Sequence, residues 1–411
     1  MAVAKTPGVY INELPASSLS IVGVPTAVPA FIGYTEKAQA PAAGGSLLGR
    51  PTEIGSMADY QAMFGGGAGG GVGPTPILWE SLRLFFGNGG ERCFIVPVGD
   101  FADFAADLRD AGLDPHRLQS GLDAIGATAG PTLLLAPDAL AMAAADYYTF
   151  VAAMIEQAAR LGDRLALLDL PGGGATNGTP ASITAAVADF RTGIAAISDG
   201  RSYGASYFPL LETVIDGNQR ILPATPAIAG LYAQNDSVAG VWNAPANIAL
   251  AMVDDPALVI TDTEQADMNA PLDGMAVNAI RNFPNRGTLV WGARTLDGNN
   301  NDYRYVPVRR TLIYIGQSVK AALEPFAFEP NVPATWTTVT AMISSFLTGL
   351  WQQGGLMGDR PSAAFSVSCG MGKTMTADDV IAGRLRVTIA LALIHPAEFI
   401  MLSVEQQLLT E

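Results

Sequence analysis

The residues that could act as reagents are few and scattered. Gly370 to Thr374 reads Gly-Met-Gly-Lys-Thr, the tail of a phosphate-binding loop. In such a loop backbone N–H groups cradle phosphate and the lysine neutralises it. The full pattern needs a glycine five positions before Gly372, and that position is Val367. A long helix should follow, whereas Thr376-Ala377-Asp378-Asp379 opens one short turn before Gly383. The run from Gly65 to Gly73 lacks both a Lys-Ser/Thr and dinucleotide spacing, and reads as a loop. His116 and His395 are too few and too isolated for a histidine-based metal site. Asp254-Asp255 and Asp378-Asp379 could draw a metal, but helix capping and turn formation explain such pairs better. Cys93 and Cys369 stand far apart, with no CxxC or histidine neighbour, and read as small buried residues. No serine sits in a G-x-S-x-G elbow. Nothing assembles a nucleophile, a base and an oxyanion site, so neither an enzyme nor a cofactor is expected.

Composition narrows the remaining classes. With 49% hydrophobic and 15% charged residues over 411 positions, the chain should fold into two or three domains with a sizeable core. A net charge of -15, from 23 Lys+Arg against 38 Asp+Glu, comes without a basic run. That balance argues against nucleic acid and anionic membrane as partners. No stretch approaches the roughly 20 apolar residues of a membrane helix, and the opening MAVAKTPGVY lacks the apolar core of a signal peptide. The expectation is a chain made and kept in the cytoplasm unless something other than a secretion signal takes it out.

The elements that must position any function show a clear order. Thr132–Ala136, Leu165–Leu170 and Tyr203–Leu210 read as strands. They alternate with a helix capped by Asp138 and running to about Leu161, and one opened by Ser182 and running to about Ile197. Strand-helix alternation marks an α/β layer. Cys93–Val98 reads as a buried strand, 76–86 and 101–122 as helical, 235–252 as loop with short helix, and Thr288–Trp291 as a strand. In the last third, Leu312, Ile315, Val319 and Leu323 share one helical face, and Trp336, Val339, Ile343, Phe346 and Leu350 share another. Trp242, Trp291 and Trp336 read as core anchors, and Arg294, Arg309 and Arg310 as partners of carboxylates or carbonyls.

Both ends are strand-like. Pro7–Ile11, Thr26–Tyr34, Leu385–Ile394 and Phe399–Val404 are rich in Val, Ile, Phe and Tyr, although chain ends are usually polar and frayed. Open strand edges invite a partner chain. The ends therefore point to an assembling subunit.

Several long blocks resemble the contractile tail sheath family of phages and phage-like injection systems. They are PGVYINE, VPTAVPAFIGYTE (24–36), PATPAIAGLYAQNDSVAGVWNAPAN (223–247), VNAIRNFPNRGTLVWGARTL (277–296), YVPVRR (305–310), FEPN (328–331) with Trp336, and PAEF (396–399). The resemblance covers about residues 1–36 and 130–404; Pro223-Ala224 replaces the family's usual two prolines. It implies an α/β (α+β) fold: an inner sheath domain built from both chain ends plus an outer α/β domain, with extended N- and C-terminal β arms. The implied division is 1–35 as N-terminal arm and inner-domain strand, 36–275 as outer domain, and 276–411 as inner, tube-facing domain with the C-terminal arm. Subunits would polymerise as stacked hexameric rings and contract to drive an inner tube through a target envelope. Arm contacts would fall on Val9, Tyr10, Ile11, Phe399, Ile400, Met401, Leu402 and Val404, and tube-facing candidates are Arg309, Lys320 and Glu324. Implied partners are further copies of the chain, the inner tube protein, and baseplate and terminal cap proteins. Nucleic acid and direct membrane insertion are not implied. Assembly would occur in the bacterial cytoplasm, within a phage tail or a released phage-tail-like particle. A chain of this modest length favours the injection system. The competing classes are an α/β enzyme and a ligand-binding domain.

Overall fold

The computed structural model describes residues 20–41, 44–68, 74–109, 112–174 and 183–399. Two compact units divide the chain: Gly23–Gln317 with Leu393–Glu411, and Met1–Val22 with Ser318–Ala392.

Among the described residues of the larger unit, nine strands form one sheet. Their order is Ile248–Ala249, Gly287–Val290, Val277–Phe283, Gly204–Phe208, Leu165–Asp169, Leu133–Leu135, Pro29–Gly33, Cys93–Pro97 and Thr52–Ile54. The inner six run parallel, and the antiparallel strands lie at the two edges. A parallel sheet needs both faces covered, which is why its strands are continuous apolar runs such as Leu133-Leu134-Leu135. One face packs on helices that include His116–Gly126, Ala144–Leu161 and Ile183–Gly193. The other packs on Met57–Phe64, Leu78–Gly87 and Thr225–Ala239. Successive residues alternate between these cores: Ala30 and Ile32 enter the first, Phe31 the second. A separate hairpin, Leu211–Ile215 with Asn218–Leu222, turns at Asp216-Gly217, both at positive φ (51° and 80°), as a two-residue hairpin loop requires.

Several expectations change here. The strand within Thr26–Tyr34 is no open end: Pro29–Gly33 pairs with Cys93–Pro97 on one side and Leu133–Leu135 on the other. Hydrophobicity alone does not separate an edge strand from a central one. The boundary expected at 275/276 is not where the compact units part, because Val277–Phe283 pairs with Gly204–Phe208 inside the large sheet. The helix expected over 101–122 is two, Phe101–Asp107 and His116–Gly126, separated by a short antiparallel pairing of Leu108–Arg109 with Gly112–Leu113. The stretch 235–252, expected to mix loop and short helix, begins inside the tail of the longer helix Thr225–Ala239. That helix is buried all round from Thr225 to Tyr232, so it carries no polar stripe for periodicity to detect.

In the smaller unit the helix Pro333–Gln352 packs on the strand Phe365–Cys369. Val339, Ile343 and Leu350 of the expected face are buried together with Met342 and Leu347. Phe365–Cys369 pairs antiparallel with Val387–Leu391, in register from Phe365↔Leu391 to Cys369↔Val387. Among the described residues this sheet has two strands, so each keeps one unpaired edge.

Candidate functional site

An open parallel sheet places chemistry beyond the carboxyl ends of its strands, where Asp138 and Asp169 stand. Both are buried. Asp138 Oδ2 accepts the Tyr34 N–H and Oδ1 the Ile77 N–H, each at 2.8 Å. Burial pushes its carboxyl up to about 7 against the pull of those two donors. Asp169 Oδ1 accepts the Ala224 and Thr225 N–H groups at 2.6 and 3.1 Å, and its Oδ2 accepts the Thr225 hydroxyl. Burial raises it to about 6. Perturbed carboxyls at strand ends are the usual mark of an active site. Here every carboxylate oxygen is committed to the protein's own backbone or hydroxyls. The free space beside Asp169 is about 10 Å³, room for no more than a water. These two aspartates tie loops together. Asp138 caps no helix: it lies in the 3₁₀ turn Pro137–Ala141, and the helix starts at Ala144.

The other reagent-like residues are also engaged structurally. The Gly370–Thr374 segment follows the strand Phe365–Cys369 and precedes the five-residue helix Ala377–Ile381. Thr374 Oγ1 accepts the Gly370 N–H at 3.2 Å and donates to Arg386 O at 2.7 Å. Asp379 closes a capping box with Thr376 and pairs with Arg384 and Arg386. The Thr376 N–H and Arg384 hold its carboxyl well below the usual range. Asp255 accepts from Asn282, and the Asp254 N–H donates to Glu212 O. Burial pushes the Cys93 thiol well up, which leaves it a packing residue. Among the described residues, no group of three or more His, Cys, Asp or Glu is placed to hold a metal ion.

What the larger unit does build is a pair of charged anchors, one near each end of the chain. Towards the N-terminal side, Arg310 pairs with Asp236 at 2.5 Å with both side chains buried, and also donates to Thr26 O at 3.1 Å. Its guanidinium lies 4.4 Å from the Tyr232 ring centroid. Towards the C-terminal side, Arg294 grips Glu398 through Nε (3.0 Å to Oε1) and Nη2 (2.5 Å to Oε2). Asn269 Nδ2 donates to Glu398 Oε1 at 2.8 Å, and the Tyr305 hydroxyl donates to Oε2 at 3.1 Å. Burial pushes the Glu398 carboxyl up, but the donors outweigh it and hold the group below its ordinary value. Arg294 is itself positioned by Asn278, whose Oδ1 accepts the Arg294 N–H at 2.7 Å and whose Nδ2 donates to Arg294 O at 2.8 Å. Sequence reading pointed to both arginines but missed Asp236 and Glu398. An acid two residues after Pro396, inside an otherwise apolar stretch, was the available signal.

Arg309 departs from expectation. It is buried, stacked between the rings of Tyr203 (4.3 Å) and Tyr303 (4.1 Å), with Nη2 donating to Ser202 Oγ at 2.6 Å. A guanidinium so enclosed cannot present itself to a tube. Its neighbour in sequence pairs with a carboxylate; Arg309 uses aromatic faces instead. Lys320 and Glu324 are exposed, as is Phe399 at 68%. Val9, Tyr10, Ile11, Ile400, Met401, Leu402 and Val404 lie outside the described residues. Trp242, Trp291 and Trp336 are half-buried rather than core anchors. Trp336 instead donates through Nε1 to Asn331 Oδ1 at 2.6 Å.

Comparison with known proteins follows the same outline. The family described as phage tail sheath C-terminal domain matches residues 298–407. A chain of the anti-feeding prophage baseplate, six-fold symmetrised, is 32% identical with a TM-score of 0.73, covering 99% of this chain and 100% of that one. A chain from an extracellular contractile injection system, the PVC sheath complex in its contracted state, is 33% identical with a TM-score of 0.72, covering 99% of each. The tail sheath protein of Vibrio phage KVP40 is 25% identical over 183 residues, 41% of this chain and 26% of the phage protein. The match thus spans about a quarter of that longer relative.

Proposed function

The chain belongs to the contractile tail sheath family, and from that membership we propose that it polymerises as stacked hexameric rings around an inner tube and contracts to drive the tube through a target envelope. Its role in this reading is structural. The observation that carries it is the antiparallel pair Phe365–Cys369 and Val387–Leu391, whose outer edges are unpaired among the described residues. Such edges accept strands from a neighbouring copy: main-chain hydrogen bonds give cohesion and alternating side chains set register. Val9, Tyr10 and Ile11 of one arm, and Phe399, Ile400, Met401, Leu402 and Val404 of the other, supply suitable side chains. An extended arm of about 15 residues spans roughly 50 Å, enough to reach a neighbour.

In this reading the C-terminal part of the chain faces the tube, with Lys320 and Glu324 as its polar contacts. Contraction repacks rigid subunits while the arm hydrogen bonds persist. The free energy comes from subunit interfaces, so firing consumes no nucleotide. Baseplate and cap proteins would bound the polymer, with assembly in the bacterial cytoplasm. The two relatives at 32% and 33% identity described above favour an injection particle over a virion. Negative-stain imaging of purified material tests the reading: a sheath gives striated tubes. A chain that remains a single 42.7 kDa species at every concentration tried is no sheath subunit.

A further inference from the structure

The segment Pro396 to Phe399 is the last described stretch of chain, and residues 400–411 follow it directly. Among the described residues, the hydrogen bonds that hold this segment to the rest of the larger unit converge on Glu398, from Arg294, Asn269 and Tyr305. The segment lines a groove of about 470 Å³ together with Trp291, Gly292 and Ala293, which leaves it room to move if released. Phe399 is 68% exposed and supplies little competing anchorage.

We propose that Arg294 and Glu398 form a positioning clamp for the C-terminal arm, fixing where and in which direction residues 400–411 leave the subunit. The proposal rests on the sheath reading above. An ion pair of this kind is a weak source of stability, because desolvation offsets most of the attraction. Its geometry is another matter. Guanidinium and carboxylate meet along two parallel bonds, which fixes an angle as well as a distance. Two further donors take up the remaining lone pairs of the carboxylate. Holding the arm's root in one direction raises its effective concentration at a neighbour's open edge without adding a contact to the interface.

The test replaces the pair with apolar side chains, Arg294→Met with Glu398→Met, which removes the clamp without leaving a lone buried charge. The expected result is an unassembled subunit with an unfolding midpoint close to wild type. Its critical concentration for tube formation should rise at least tenfold, equivalent to about 1.4 kcal/mol per subunit. A purely structural role would move the midpoint and not the critical concentration. Asp262→Asn, which removes an ion pair to Arg281 through a 92% exposed aspartate on the same unit, should change neither. If the double variant does not fold, Glu398→Gln decides by the same threshold. Tubes forming at the wild-type concentration in the deciding variant overturn the clamp alone. Absence of tubes from the wild-type chain overturns the sheath reading instead.

Discussion

Arg310 Nη2 lies 2.5 Å from Asp236 Oδ2, joining the helix Val306–Leu323 to the helix Thr225–Ala239 through a pair whose side chains are only 3% and 7% exposed. The same guanidinium reaches Thr26 O, and the Thr26 hydroxyl donates to Asp236 Oδ2 at 2.5 Å, so the chain entering the central strand Pro29–Gly33 is tied to both helices. Removing one partner strands the other charge in the interior. Asp236→Ala should destabilise the unassembled subunit by about 3–5 kcal/mol in chemical denaturation. Joint replacement by Arg310→Met with Asp236→Leu should cost distinctly less than the single change. Equal costs would mean that the pair is not coupled.

Gly230 lies where the helix Thr225–Ala239 crosses Leu78–Gly87. An added Cβ there would overlap Phe85 O and stand 2.9 Å from the Asn88 Cβ. Alanine is worth up to about 1 kcal/mol over glycine in an exposed helix, but here the overlap reverses the sign. Gly230→Ala should lower stability by about 1–3 kcal/mol, read as a lower urea midpoint with an unchanged m-value. A stabilised variant would show that the two helices can part without loss.

Asp138 gives a pH dependence of definite sign. Its folded-state pKa is raised from 3.8 to about 7, so between those values the folded state holds a proton that the unfolded state has released. Folding is therefore favoured at low pH within that window, and the contribution is lost as pH rises from about 4 to 7. The total is on the order of 4 kcal/mol. Denaturation at pH 5 and pH 8 should show the decline, and Asp138→Asn should flatten it. By pH 8, where the wild type has declined, the variant should match or exceed it, whereas at pH 5 it is expected to be about 1–3 kcal/mol less stable. The reason is that Tyr34 and Ile77 each need an acceptor oxygen, and an amide has one. An unchanged slope in Asp138→Asn would assign the decline to other groups.

Deletion of residues 1–20 should leave a folded subunit that no longer polymerises, since the core of the larger unit begins with Val28 and Ala30. Electron microscopy and circular dichroism report the two halves of this expectation separately. Long tubes from the truncated chain would contradict the arm mechanism.

Where one interaction is local, the sequence determined the outcome. Runs such as Leu133–Leu135 and Leu165–Asp169 read as buried strands because they are short, apolar except for Asp169, and alternate with helical stretches. The failure of the Gly370–Thr374 loop as a phosphate site followed from one missing glycine and a short following helix. The family blocks carried the sheath identity across most of the chain. Tertiary structure alone decided the rest. Pro29–Gly33 became the middle of a sheet because its two partner strands arrive from residues 93–97 and 133–135. Arg309 and Arg310 are adjacent and chemically alike, yet one stacks between two tyrosines and the other pairs with an aspartate. Glu398 found Arg294 across 104 residues. A side chain's type fixes which partners it can accept; only the packing of distant segments decides which of them it meets.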